Sequence, residues 1–130
     1  MNNPWYETLI KPELTPPSWV FGPAWTILYI LILISLIIIW RSGIWRREVK
    51  VAIYIFFVQI VLNIIWSPLF FTLQSPFLAF IDIMMLWAAI IFTIFNFFKI
   101  SKTAGWLLIP YILWVSFAMY LNWGIVVGNV

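Results

Sequence analysis

The chain contains no cysteine and no histidine among its 130 residues. Without cysteine there is no disulfide, no thiolate metal site and no thiol nucleophile. Without histidine the commonest general base, the commonest metal ligand and the usual axial ligand of haem iron are gone as well. Charge is scarce too. Asp, Glu, Lys and Arg make up 8% of the residues while 65% are hydrophobic, whereas soluble domains carry roughly 25% charged residues. A soluble globular core is therefore excluded. The four acids (Glu7, Glu13, Glu48 and Asp82) form no pair in sequence, so neither an acid–base couple nor a nucleophile–base arrangement is visible. The net charge of +3 sits in connections. No basic stripe with interleaved aromatics lies outside the apolar runs, which leaves no basis for nucleic-acid binding. No metal and no resident cofactor are expected.

Long apolar runs and tryptophan are what the chain has in plenty. Four runs, at about residues 19–40, 49–73, 77–98 and 104–127, each approach the roughly 20 residues that span a hydrocarbon core of about 30 Å. Helices are the expected form, because every backbone group in lipid needs an internal partner and these runs do not alternate as barrel strands do. The connections, residues 41–48, 74–76 and 99–103, are short, so neighbouring helices pack antiparallel. The expected fold is an all-α membrane protein, an antiparallel bundle of four transmembrane helices. It forms one domain over residues 1–130, with residues 1–18 as an external loop rich in Trp and Pro. No apolar segment of signal-peptide type precedes the first run, which then acts as the insertion signal. Of the seven basic residues, Arg41, Arg46, Arg47, Lys50, Lys99 and Lys102 flank the first and third connections and only Lys11 lies opposite. Positive-inside bias puts connections 41–48 and 99–103 in the cytoplasm and both termini outside.

Polar residues inside the runs are the candidates for chemistry. Gln59, Asn63 and Ser67 recur at i, i+4 and i+8 on one helical face, flanked by Trp66 and Phe70, with Pro68 expected to free a carbonyl near Ile64 and permit a kink. Such a stripe either bonds a neighbouring helix or lines a cavity. Asp82 is the one acid well inside a run. It serves as a proton or ligand site, as an interhelical hydrogen-bonding group, or as a shallow group reaching headgroups. Tyr111, Trp114, Ala118 and Asn122 share a face of the last run behind Pro110, and Phe21, Trp25 and Tyr29 share one of the first. Pro16-Pro17-Ser18-Trp19 at the first run's mouth is either a stiff rim for a flat ligand or an ordinary interfacial anchor. Ten tryptophans in 130 residues exceed what anchoring requires. Three converging aromatic faces would wall a pocket with tryptophan.

These residues resemble the translocator protein family, also called tryptophan-rich sensory proteins or peripheral benzodiazepine receptors. The matching blocks are Trp5-Tyr6-Glu7-Thr8-Leu9-Ile10-Lys11-Pro12, the stretch from Pro16 to Tyr29, Gln59 to Phe71, the Asp82 helix, and Pro110 to Asn122, in family order. The resemblance implies a membrane helix bundle, usually dimeric, that binds porphyrins, sterol-like lipids and synthetic drugs near a Trp-rich loop. It places ligand contacts at Trp25, Tyr29, Asn63, Trp66, Phe70, Trp114, Ala118 and Leu121; by their positions in the runs, Gln59, Ser67, Asp82 and Asn122 are candidates for further polar contacts. It also implies that Trp25 and Trp114 are candidates for the light-dependent protoporphyrin degradation described for bacterial members. Family members normally have five spans, and the Trp5 block follows the first of them. Four residues precede that block here, so the resemblance implies a missing first helix. No basic residue follows Lys102, so the sterol motif proposed for animal members has no support.

The expected function is a receptor or sensor binding porphyrin-type tetrapyrroles, protoporphyrin IX or haem, within the bundle. One alternative is an enzyme degrading the bound porphyrin. Another is a small four-helix multidrug exporter, a class that needs a glutamate in its first span, where residues 19–40 have no acid.

Overall fold

Proline, glycine and serine punctuate four apolar runs, and the elements follow that punctuation. The computed structural model describes Leu9 and residues 18–128. The loop expected over residues 1–18, with Lys11 and the Trp5 block, lies almost wholly outside the described residues. A 3₁₀ turn, Ser18–Val20, leads into α1 (Phe21–Arg41), whose first turn holds Pro23 and Ala24. Arg41 ends it, and Gly43 turns the chain at φ 119°, a backbone conformation that side chains disfavour. Helix α2 (Arg47–Ser67) follows. Arg46, before it, ion-pairs with Glu48 in the first turn.

Pro68 does not break α2 sharply. Its missing N–H is absorbed by a π-helical turn, Pro68–Thr72, in which the Leu73 N–H donates to the Pro68 carbonyl at 3.0 Å. This widened turn carries Phe70 into the interior at 2% exposure. Helix α3 (Pro76–Ile100) starts with Ser75 as its cap, whose Oγ accepts from the Leu78 N–H, and with Pro76 in the first position, where no N–H is needed. After the single residue Ser101, itself a cap for the Ala104 N–H, come α4 (Lys102–Leu107) and α5 (Ile109–Gly128). They interrupt at Leu108 because Pro110 supplies no donor to the preceding turn; the Leu108 N–H turns to the Gly105 carbonyl at 3.1 Å.

Among the described residues four stretches are long and apolar enough to cross a membrane: Phe21–Arg41, Arg47–Thr72, Pro76–Ile100 and Lys102–Gly128. They match the four expected runs to within three residues at each end, and all described regular structure is helical. Helix α3 is the axis of the bundle. It packs along α2 on one side and along α4 and α5 on the other. Helix α1 leans chiefly on α4, where the buried Ser35 hydroxyl donates to the Ala104 carbonyl at 2.8 Å, and touches α2 and α5 less. The core runs through Ile39, Val49, Ala52, Phe97 and Ala104 at one end to Phe70, Ala79 and Ile125 at the other. Gly105 lets α4 approach α3 closely: a Cβ there would lie 2.6 Å from the Phe98 ring. With α1 tied to α4 near Ser35, its first half is left to close over the interior with side chains alone.

Candidate functional site

That first half of α1 roofs a cavity of about 230 Å³. Phe21, Trp25 and Tyr29 descend from α1 at a spacing of four, so all three rings meet the same space. Helix α2 and its π-turn contribute Asn63, Trp66, Ser67, Phe70 and Phe71, and α5 contributes Trp114, Ala118, Leu121, Asn122 and Ile125. The floor is Ile83 and Leu86 of α3.

The walls are held ring against ring. Trp25 stacks on Tyr29 at 5.6 Å and meets Trp114 edge-on at 6.3 Å, while Phe21 meets the same Trp114 edge-on at 5.9 Å. Across the space Trp66 stacks on Phe70 at 5.1 Å. Each such pair contributes about 0.5–1.5 kcal/mol beyond its buried area. Ala118 opposes them with a single methyl group, which leaves the centre open.

Polar atoms gather at two corners. At one, the Tyr29 hydroxyl donates to Asn63 Oδ1, Asn63 Nδ2 donates to the Tyr111 oxygen, and the Tyr111 hydroxyl donates to Gln59 Oε1, each at 2.7 Å. This chain ties α1, α2 and α5 together, and its far end, Gln59 Nε2, is buried without a partner. At the other corner Trp66 Nε1 donates to Asn122 Oδ1 at 3.0 Å, and Asn122 Nδ2 donates to the Pro76 carbonyl at 2.9 Å, joining α2, α5 and the start of α3. Trp114 differs from Trp66 in that its buried indole N–H has no partner.

The eight residues expected as ligand contacts (Trp25, Tyr29, Asn63, Trp66, Phe70, Trp114, Ala118 and Leu121) are thus brought to one cavity, with Ser67 and Asn122 beside them. Gln59 and Asp82 are not part of its lining. Gln59 backs the hydrogen-bond chain one layer behind. Asp82 is buried inside the bundle: it is 4% exposed, and its Oδ2 has no hydrogen-bond partner. It faces inward because it shares the buried side of α3 with Ala79, Ile83 and Leu86. Tyr111 also stands behind the wall, fully buried. The contributions of Phe71, Ile83, Leu86 and Ile125 were not foreseen, since nothing distinguishes them from lipid-facing neighbours of the same type. Among the described residues no group of three or more carboxylates could hold a metal ion. The arrangement suits a flat apolar guest with one or two polar groups at its edge.

Known proteins match nearly the whole of this chain. The TspO/MBR family matches residues 1–127. The chain is 44% identical over 125 residues to the tryptophan-rich protein TspO of Chlorobaculum tepidum, covering 96% of this chain and 79% of that protein. It is 48% identical over 126 residues to the protein of the same name from Archaeoglobus fulgidus, covering 96% and 80%. The human translocator protein is 32% identical over 120 residues, covering 92% and 71%.

Proposed function

Because this chain belongs to the TspO/MBR family, we propose that it is a membrane receptor or sensor that holds porphyrin-type tetrapyrroles between its tryptophan walls. The observation that carries this reading is the convergence of Trp25, Trp66 and Trp114 from three helices on one apolar space with polar corners. Stacking supplies affinity, and the Asn63 and Asn122 corners meet polar substituents at the ring's edge. At about 230 Å³ the cavity falls below the roughly 300–1,000 Å³ of drug-sized sites, so the macrocycle enters edge-first and the walls give by side-chain rotation. The six basic residues in or beside connections 41–48 and 99–103 support placing that end of the bundle in the cytoplasm. The family resemblance supports a homodimer.

The reading is tested by titrating purified protein in bicelles with protoporphyrin IX and with haem. No histidine is present in the chain, so the two bind with similar affinity. Haem binding 100-fold tighter, a gap of about 2.7 kcal/mol, would mean that an iron ligand and not stacking governs the site. Failure of both to bind would reject the ligand class.

A further inference from the structure

A second hollow lies on the lipid side of the bundle, in the angle between α1 and α5. It is an open groove of about 430 Å³, lined by Ala24, Ile27 and Leu31 from α1 and by Pro110, Leu113 and Phe117 from α5. Every one of these side chains is apolar, both helices are long enough to span a membrane, and among the described residues none other than Leu28 and Trp114 joins them in lining the groove. Its inner wall is Trp114, the one residue that also lines the tryptophan cavity. Leu28, buried, lines the groove beside it.

The way that indole is held differs from its neighbours. Trp66 is fixed by Asn122 at 3.0 Å and Trp87 by the Ser116 hydroxyl at 2.9 Å, whereas the Trp114 N–H has no partner to lose. Its ring touches Phe21 and Trp25 edge-on and Phe117 at a tilt of 53°. Turning it therefore breaks weak ring contacts and no hydrogen bond. The opposite side of α1 is closed otherwise: there the Tyr29–Asn63 hydrogen bond at 2.7 Å ties α1 to α2, and opening that side means breaking it in lipid, where few replacement partners exist.

We propose that the α1–α5 groove is a second, wholly apolar subsite through which a flat hydrophobic ligand passes from the bilayer, with Trp114 as the door into the inner cavity. The inference rests on the porphyrin reading of that cavity. It also accounts for the cavity's size: with Trp114 turned, groove and cavity become one space with room that neither has alone.

The test is kinetic. Protoporphyrin IX in lipid bicelles is mixed with protein, and the rise and decay of bound-porphyrin emission give association and dissociation rates. Ala24→Phe and Leu113→Trp narrow the groove from its two helices without touching the inner cavity. Each is expected to slow both rates about tenfold while leaving Kd within about threefold, because an entrance affects the barrier and not the bound state. Preserved affinity also certifies that each variant is folded. Val61→Trp, on the lipid-facing side of α2, leaves both rates unchanged. Unchanged rates in both groove variants would overturn the proposal, as would equal slowing by Val61→Trp. Absence of porphyrin binding by the wild-type chain would reject the cavity reading itself, and the entrance with it.

Discussion

Replacing Asn63 by Leu isolates what the polar corner contributes. The side chain is nearly the same size, so no cavity is created and the cost is confined to hydrogen bonds. Two are lost, from the Tyr29 hydroxyl and to the Tyr111 oxygen. The third survives, since Tyr111 still donates to Gln59, and no new buried donor is orphaned on that side. Inside membranes such bonds average about 0.6 kcal/mol and reach at most about 1.7. Asn63→Leu should therefore cost about 1.2 kcal/mol, roughly a sevenfold loss in the folding equilibrium. Tyr29→Phe removes one bond only and keeps its stacking on Trp25, so it should cost about 0.6 kcal/mol. In the double variant the Tyr29 bond cannot be lost twice. Its cost should stay near 1.2 kcal/mol, a coupling of about 0.6 between the two sites. The assay is reversible unfolding in mixed micelles, followed by far-UV circular dichroism as the denaturing detergent fraction rises. Strict additivity of the two substitutions would refute the bond's contribution. A loss above about 3 kcal/mol for Asn63→Leu alone would show that Asn63 holds the bundle by something other than these two contacts.

Ala118→Leu fills the space opposite Trp25 and Trp66; porphyrin affinity should fall by about tenfold or more, equivalent to about 1.4 kcal/mol, with little change in melting temperature, and unchanged affinity with a lowered melting temperature would make Ala118 a packing residue instead. Gly105→Ala puts a Cβ 2.6 Å from the Phe98 ring, so overpacking should destabilise the protein by about 1–3 kcal/mol, and adding Phe98→Ala should recover part of that loss in the same unfolding assay. With no native cysteine in the way, Ser42→Cys and Ser101→Cys report topology directly: both thiols should resist an impermeant maleimide applied outside intact cells, and labelling of both would reverse the proposed orientation.

How legible this molecule was depends on whether a residue differs from lipid. Span positions were readable because hydropathy ends where Arg41, Ser75 and Ser101 begin to do other work. The faces were readable because Trp25, Asn63, Trp66 and Trp114 stand out from runs of Ile and Leu, and helical spacing places them together. Ile83, Leu86 and Ile125 were not readable, since an apolar residue in a membrane helix looks the same whether it meets lipid or a cavity. A partial signal did exist on α3. Ala79, Asp82 and Thr93, all buried, mark the inward side, and Ile83 and Leu86 fall on it at helical spacing. The consequences of Pro68 and Pro110 were half legible. Each removes a donor, but whether the chain kinks, widens into a π-turn or breaks two residues earlier depends on which carbonyls find other partners.

A cavity inside a membrane bundle also poses a question that hydropathy does not answer, namely why the helices do not close on it. Lipid exerts no hydrophobic pressure on apolar walls, since tails and side chains solvate each other equally well. What fixes the distance between helices is the set of bonds that must be made across it. Here those bonds lie at the cavity's edges. The Tyr29–Asn63–Tyr111–Gln59 chain sets α1 and α5 against α2 on one side, and Trp66–Asn122–Pro76 sets α2 against α5 and α3 on the other. Each linkage has a fixed length and directed geometry, so the pair act as struts. Between them α1 has ring contacts to Trp114 and no hydrogen bond. The frame is therefore rigid where polar groups meet and yielding where the tryptophans of α1 and α5 meet, and the yielding side is the one that faces the open groove.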